Sequence, residues 1–127
     1  MDDLHFGFEE LELWKKARNF KKKIIALVKT FPPEEKYRLA DQLSRSSRSI
    51  NSLIAEGHGR FTYPDQIHFC IQARGSLSET MNHLMDAFDE NFLDAEALSK
   101  YKRDGKELER LLNGYLAYLR KKRDEIK

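Results

Sequence analysis

The sequence predicts an all-α protein folded as an antiparallel, up-and-down four-helix bundle, and three observations carry that prediction. Apolar residues recur at spacings of three and four over long stretches, no stretch alternates with period two, and the helix breakers fall at three short intervals. The breaks leave helices near 9–31, 33–57, 63–90 and 95–125 within a single domain over 1–127. Connections this short force successive helices to run antiparallel.

Each break has its own chemistry. Phe31-Pro32-Pro33 stops the first helix and starts the second, because proline fits a first helical turn but not an interior. Gly57-His58-Gly59 supplies a C-cap, and Thr62-Tyr63-Pro64-Asp65 follows as a Thr-x-x-Asp start signal. In Glu90-Asn91-Phe92-Leu93-Asp94, the aspartate is the expected N-cap of the last helix. The third helix aligns Cys70, Ala73, Leu77, Met81, Leu84 and Phe88, and the fourth aligns Leu98, Tyr101, Gly105, Leu108, Leu112, Tyr115 and Leu119. These are the heptad-like seams of helices packed at about 20°.

Helices one and two carry more than one seam. On helix one, Leu11, Trp14, Ala17, Ile25 and Val28 form the expected core seam. A second set, Leu13, Phe20 and Leu27, repeats every seven residues with Ile24 and Phe31 between. Two seams are more than one bundle usually needs, so the second is expected to be a subunit interface; the alternative is a helix sunk deep between its neighbours. Helix two places Ala40, Leu43, Ser47, Ile50, Ile54 and Gly57 toward the core, flanked by Leu39, Gln42, Ser46, Ser49 and Leu53. Small serines let another helix come close, either inside the bundle or from a second copy; on the second reading Gln42 and Ser49 join the interface.

A composition of 40% apolar and 35% charged residues excludes disorder. The lone Cys70 cannot close an internal disulfide, the start of the chain lacks the apolar run of a signal peptide, and no segment is apolar enough to span a membrane. A cytoplasmic protein is the expectation. The net charge of only +2 means that nucleic-acid binding must rest on the distribution of charge. That distribution is uneven. Lys15, Lys16, Arg18, Lys21, Lys22, Lys23 and Lys29 occur with no acidic residue between them, and Lys15, Lys22 and Lys29 align on one face. Arg38, Arg45 and Arg48 lie on the second helix away from its core, Arg60 follows it, and Arg120-Lys121-Lys122-Arg123 ends the fourth. Such arrays bind phosphate backbones by counterion release, and a ring of copies would multiply the field. A solvated basic face is the competing reading.

Catalytic and metal patterns are weak. Asp65-x-x-His68 and Glu79-x-x-x-His83 share helix faces, but a di-iron bundle needs Glu-x-x-His on two helices, and neither a Cys pair nor a phosphate-cradling glycine loop is present. His58 follows Glu56 at a loop. Arg60 and His68 are separated by more residues than the Arg–His pairs of helical-bundle ribonucleases. Cys70 lies on a core stripe and reads as packing. The expectation is no catalytic residue, no metal and no cofactor.

A wider set of residues resembles the bacterial four-helix bundle family often encoded by intervening sequences within 23S rRNA genes. It includes Phe8, Leu11, Trp14, Ala17, Phe31-Pro32, Glu35, Tyr37, Leu39, Gln42, Arg45, Ser49-Ile50 and Ile54-Ala55-Glu56-Gly57. It continues through Gly59-Arg60, Thr62, Asp65, Phe69, Ala73, Gly75-Ser76-Leu77 and Glu79. Asn51 stands where a proline is common in the family, and Leu53 where an asparagine is usual. The resemblance implies a bundle assembled into a ring of five, without enzymatic activity. A related retroelement protein is a basic, nucleic-acid-binding accessory to a reverse transcriptase. The leading expectation is a pentameric adaptor binding structured RNA or RNA–DNA, with Lys15, Lys22, Lys29, Arg45, Arg48 and Arg60 on phosphate. The alternatives are a protein-interaction scaffold and a metal-dependent or ribonuclease-like enzyme.

Overall fold

The computed structural model describes residues 4–126, which form four helices: α1 (Glu12–Val28), α2 (Leu39–His58), α3 (Tyr63–Asp89) and α4 (Ala95–Glu125). Short 3-10 turns at Gly7–Glu10 and Pro33–Glu35 precede α1 and α2. No helix among the described residues is long and apolar enough to cross a membrane.

The later helices begin and end where local chemistry places them. Thr62 Oγ1 accepts the amide of Asp65 at 3.3 Å, and Asp94 Oδ1 accepts that of Ala97 at 2.8 Å. Asn91 adopts a left-handed φ of 65°, which lets Phe92 N–H reach Ala87 O at 2.8 Å and close the end of α3. The first connection is longer than expected. α1 stops at Val28 rather than 31, because Pro32 disfavours helical backbone at Phe31 and Thr30 Oγ1 donates to Leu27 O at 2.7 Å. α2 starts at Leu39 rather than 33; only one 3-10 turn forms after the prolines, and Glu35 Oε2 then accepts the Leu39 amide at 3.2 Å.

Neighbouring helices are antiparallel: as numbers rise along one, they fall along the next. Gly57 meets Phe69, Ser49 meets Ser76 at 3.0 Å and Ser46 meets Thr80 at 2.8 Å across α2–α3. Cys70 Sγ donates to Leu112 O at 3.6 Å, and Met81 covers Gly105 across α3–α4. Asn51 Nδ2 donates to Trp14 O across α1–α2, and Lys23 pairs with Asp104 across α1–α4. Among the described residues the diagonal pairs α1–α3 and α2–α4 do not approach. Four helices therefore surround one core.

That core corrects the reading of α1. Leu13 and Phe20 are only 4% and 3% exposed within a single chain, and with Ala17 and Ile24 they are the buried stripe. Leu27 is half-buried against the same core. The expected subunit interface is thus largely the inside of the bundle. Of the expected core seam, Ala17 lies on the buried stripe as expected, whereas Leu11, Trp14 and Val28 pack half-buried along its edge, about 100° further round. Helix one has two apolar seams because it sinks deeply between α2 and α4.

The serines of α2 turn inward as well. Ser46, Ser47 and Thr80 are buried, and Thr80 Oγ1 lies 2.8 Å from both Ser46 Oγ and the Ser76 carbonyl. Ser49, expected at a subunit contact, is half-buried on Ser76 of the same chain, whereas Gln42 is exposed. Small residues here let α2 and α3 approach, and their hydroxyls find partners in doing so. Gly59 is the C-cap of α2, as expected of Gly57-His58-Gly59, and Gly57, inside the helix, belongs to the α2–α3 contact: a Cβ on it would lie 2.7 Å from that of Phe69. On α3 the stripe takes Ala87 in place of Phe88, and on α4 it adds Leu116.

Candidate nucleic-acid interface

The α1 residues one position beyond the buried stripe, Trp14, Arg18, Lys21 and Val28, lie on the side facing α2. Trp14 is fixed there by Asn51, whose Nδ2 donates to the Trp14 carbonyl at 3.3 Å, and by Phe8, edge-on at 5.1 Å. Asn51 Oδ1 is buried without a partner. Arg18 lies over the Trp14 ring, its guanidinium carbon 5.5 Å from the centroid. One turn on, Lys21 is half-buried, and its ammonium is held below the ordinary lysine range by burial first, then by Arg18, Arg48 and Lys22. Cations from α1 and α2 therefore converge, and among the described residues none of these four has an acidic partner within 4 Å.

Toward the far end of this seam an open groove of about 440 Å³ lies between the end of α1, the Pro32-Pro33 turn and the start of α2. Lys29, Lys36, Ser44 and Arg48 contribute its polar wall, and Val28, Phe31 and the two prolines its apolar wall. Its one acid, Asp41, is 3.7 Å from Arg45. Arg48 thus belongs both to the cation cluster and to the groove.

The expected phosphate-binding residues separate accordingly. Lys22, Lys29 and Arg48 lie on this α1–α2 face. Lys15 is drawn to Glu12 at 3.5 Å and Arg45 to Asp41. Arg60 sits some 18 Å along the α2 direction from Arg48, paired with Glu56 at 3.0 Å and stacked on Phe69 at 4.6 Å. On the other flank of α1, Lys23 is neutralised by Asp104 at 2.8 Å. Arg18 and Lys21 are the members that face choice by heptad spacing missed. Their signal was available: they follow Trp14 at spacings of four and three, on the flank beside the core.

The other reactive groups are engaged. Burial pushes the Cys70 thiol up to about 11, against the opposing pull of Arg74 and Arg120, so it is a thiol at neutral pH. His58 packs on Gly7, His68 lies 2.6 Å from Gln72, and His83 Nε2 is 3.2 Å from Glu79, while its Nδ1 is buried without a hydrogen-bond partner, 3.9 Å from Asp86. No three His, Cys, Asp or Glu side chains among the described residues are grouped to hold a metal.

The model of the 23S rRNA-intervening sequence protein family matches residues 9–114. The chain belongs to that family. The matched span contains the whole α1–α2 face and leaves out the basic run Arg120–Arg123. Among solved structures, the chain is similar to a protein of unknown function from the S23 ribosomal protein family of Bacteroides thetaiotaomicron. The TM-score is 0.76 at 24% identity, over 82% of this chain and 97% of that one. At this identity the likeness shows a shared bundle. No curated protein matches the chain.

Proposed function

We propose that this chain is a non-enzymatic, self-associating adaptor that binds the phosphate backbone of structured RNA or RNA–DNA along its α1–α2 face. The observation that carries the reading is the convergence of Arg18, Lys21, Lys22 and Arg48 without an acid among them. Like charges held together at a helix seam cost stability, and a polyanion laid across them relieves that cost while releasing its counterions.

With Lys29, five cations face the ligand. Contacts of this kind change log affinity by about 0.7–0.9 per phosphate for each unit of log salt, giving a slope near −3.5 to −4.5 per copy. Affinity for a short RNA duplex should then fall roughly 130- to 500-fold between 50 and 200 mM salt. Replacing Arg18, Lys21 and Arg48 together by Gln leaves a slope near −1.4 to −1.8. Fluorescence anisotropy at several salt concentrations measures both. A wild-type slope shallower than about −1, or a triple variant that matches the wild type, rejects the proposal.

Self-association needs a surface other than α1, whose seams are occupied. The α3–α4 groove offers one: Leu77, Met81 and Met85 line about 460 Å³ beside Lys102 and Lys106, and Ile71, Met85 and Phe88 are exposed along α3. A ring built through this side would leave each α1–α2 face open to nucleic acid. Light scattering of the wild type and of Met85→Glu gives the subunit number. A wild-type monomer at micromolar concentration removes the assembly from the proposal.

A further inference from the structure

The groove at the end of the cation track has features that a pure backbone-binding face does not require. Three cations, Lys29, Lys36 and Arg48, and the Ser44 hydroxyl line one part of it, and Val28, Phe31, Pro32 and Pro33 form an apolar wall. Its volume of about 440 Å³ falls in the range of small-ligand sites. Beside it stands Tyr37, 83% exposed, with Lys36 Nζ 5.4 Å from its ring centroid. Apart from that cation contact, a ring so exposed contributes little to the core. Next to clustered cations it offers a stacking surface whose neighbours hold the attached phosphate.

The groove also continues the track. Arg18 and Lys29 are eleven residues apart on or just beyond α1, about 16 Å, and Arg48 joins the cluster to the groove from across the seam. We infer that the groove takes one unpaired nucleotide at the end of the RNA whose backbone lies on Arg18, Lys21 and Arg48. The base stacks on Tyr37 beside the proline wall, and its phosphate is held by Lys29, Lys36 and Arg48. This rests on the backbone-binding reading and deepens it: the preferred ligand becomes a duplex with a single-stranded end, rather than a blunt one.

The test uses the full chain and two probes, a short blunt RNA duplex and the same duplex with one unpaired 2-aminopurine nucleotide at its 3′ or 5′ end. Stacking quenches 2-aminopurine, so occupancy and base contact are read together. The wild type should bind one overhang about five- to a hundredfold more tightly than the blunt duplex, with quenching. Tyr37→Ala, at a position too exposed to affect folding, should abolish the preference and the quenching while leaving blunt-duplex affinity unchanged. Arg18→Gln with Lys21→Gln should weaken both probes alike. Equal wild-type affinity for blunt and overhanging duplexes, or quenching that persists in Tyr37→Ala, overturns the inference while leaving backbone binding intact. No binding to either probe overturns both.

Discussion

Gly57→Ala tests how closely α2 and α3 approach, and its sign is not what helix propensity gives. Adding a methyl within a helix normally stabilises by about 1 kcal/mol. At Gly57 the new Cβ lies 2.7 Å from Phe69 Cβ and 3.7 Å from the Gln66 carbonyl. Neither atom is the end of a flexible chain, so the helices must part by several tenths of an ångström. The hydroxyl pairs Ser49–Ser76 and Ser46–Thr80 lie along the same contact and loosen with it. Overpacking of this kind costs about 1–3 kcal/mol; offset by about 1 kcal/mol of propensity, the net loss is up to about 2 kcal/mol, or up to roughly 10 °C in Tm. Gly75→Ala is the internal control, because a Cβ there meets nothing within 4 Å, and it should gain up to about 1 kcal/mol. Thermal melts by circular dichroism, with urea midpoints, measure both. If Gly57→Ala rises in Tm as Gly75→Ala does, the close α2–α3 contact is wrong.

Two further outcomes follow from the assignments on α1. Phe20→Ala should cost about 3–5 kcal/mol, and the loss should be the same across a hundredfold range of protein concentration, because the side chain is buried within one chain; a loss confined to dilute protein would return Phe20 to a subunit interface. Lys21→Gln should raise stability near neutral pH by a few tenths of a kcal/mol while weakening RNA binding. Because Lys21 titrates below 10.5 when folded, the unfolded chain holds the extra proton in the alkaline window beneath that value. Wild-type stability therefore rises with pH there and the advantage of the variant disappears; urea midpoints at neutral and alkaline pH read the effect, and an advantage that grows with pH contradicts the cause assigned to the shift.

Local signals made much of the fold legible. Thr62 and Asp94 cap the helices they were expected to cap, and the stripes on α2 and α4 point inward nearly residue for residue. Capping and periodicity involve neighbours within a turn or two, so the chain itself records them. The first connection departs from that pattern for a local reason too: the Phe31-Pro32-Pro33 signal, read as stopping one helix and starting the next, leaves residues 29–38 outside both α1 and α2.

The candidate site was legible only in part. Residue order declared an acid-free basic run on α1, but it could not say which cations keep an unanswered charge. Asp104, eighty-one residues from Lys23, neutralises one flank, and Arg48, brought in by α2, intensifies the other. Nor could a stripe reveal its own depth. Leu13 and Phe20 read as surplus surface because a sequence shows how much of a helix is apolar and not how far its neighbours enclose it. The positions of α3 and α4 and their N-caps were set by the amino-acid order alone. The inward side of α1, the α2–α3 approach through Gly57 and the serines, and the meeting of Arg18 and Lys21 with Arg48 were decided by packing, since each depends on distances between atoms remote along the chain.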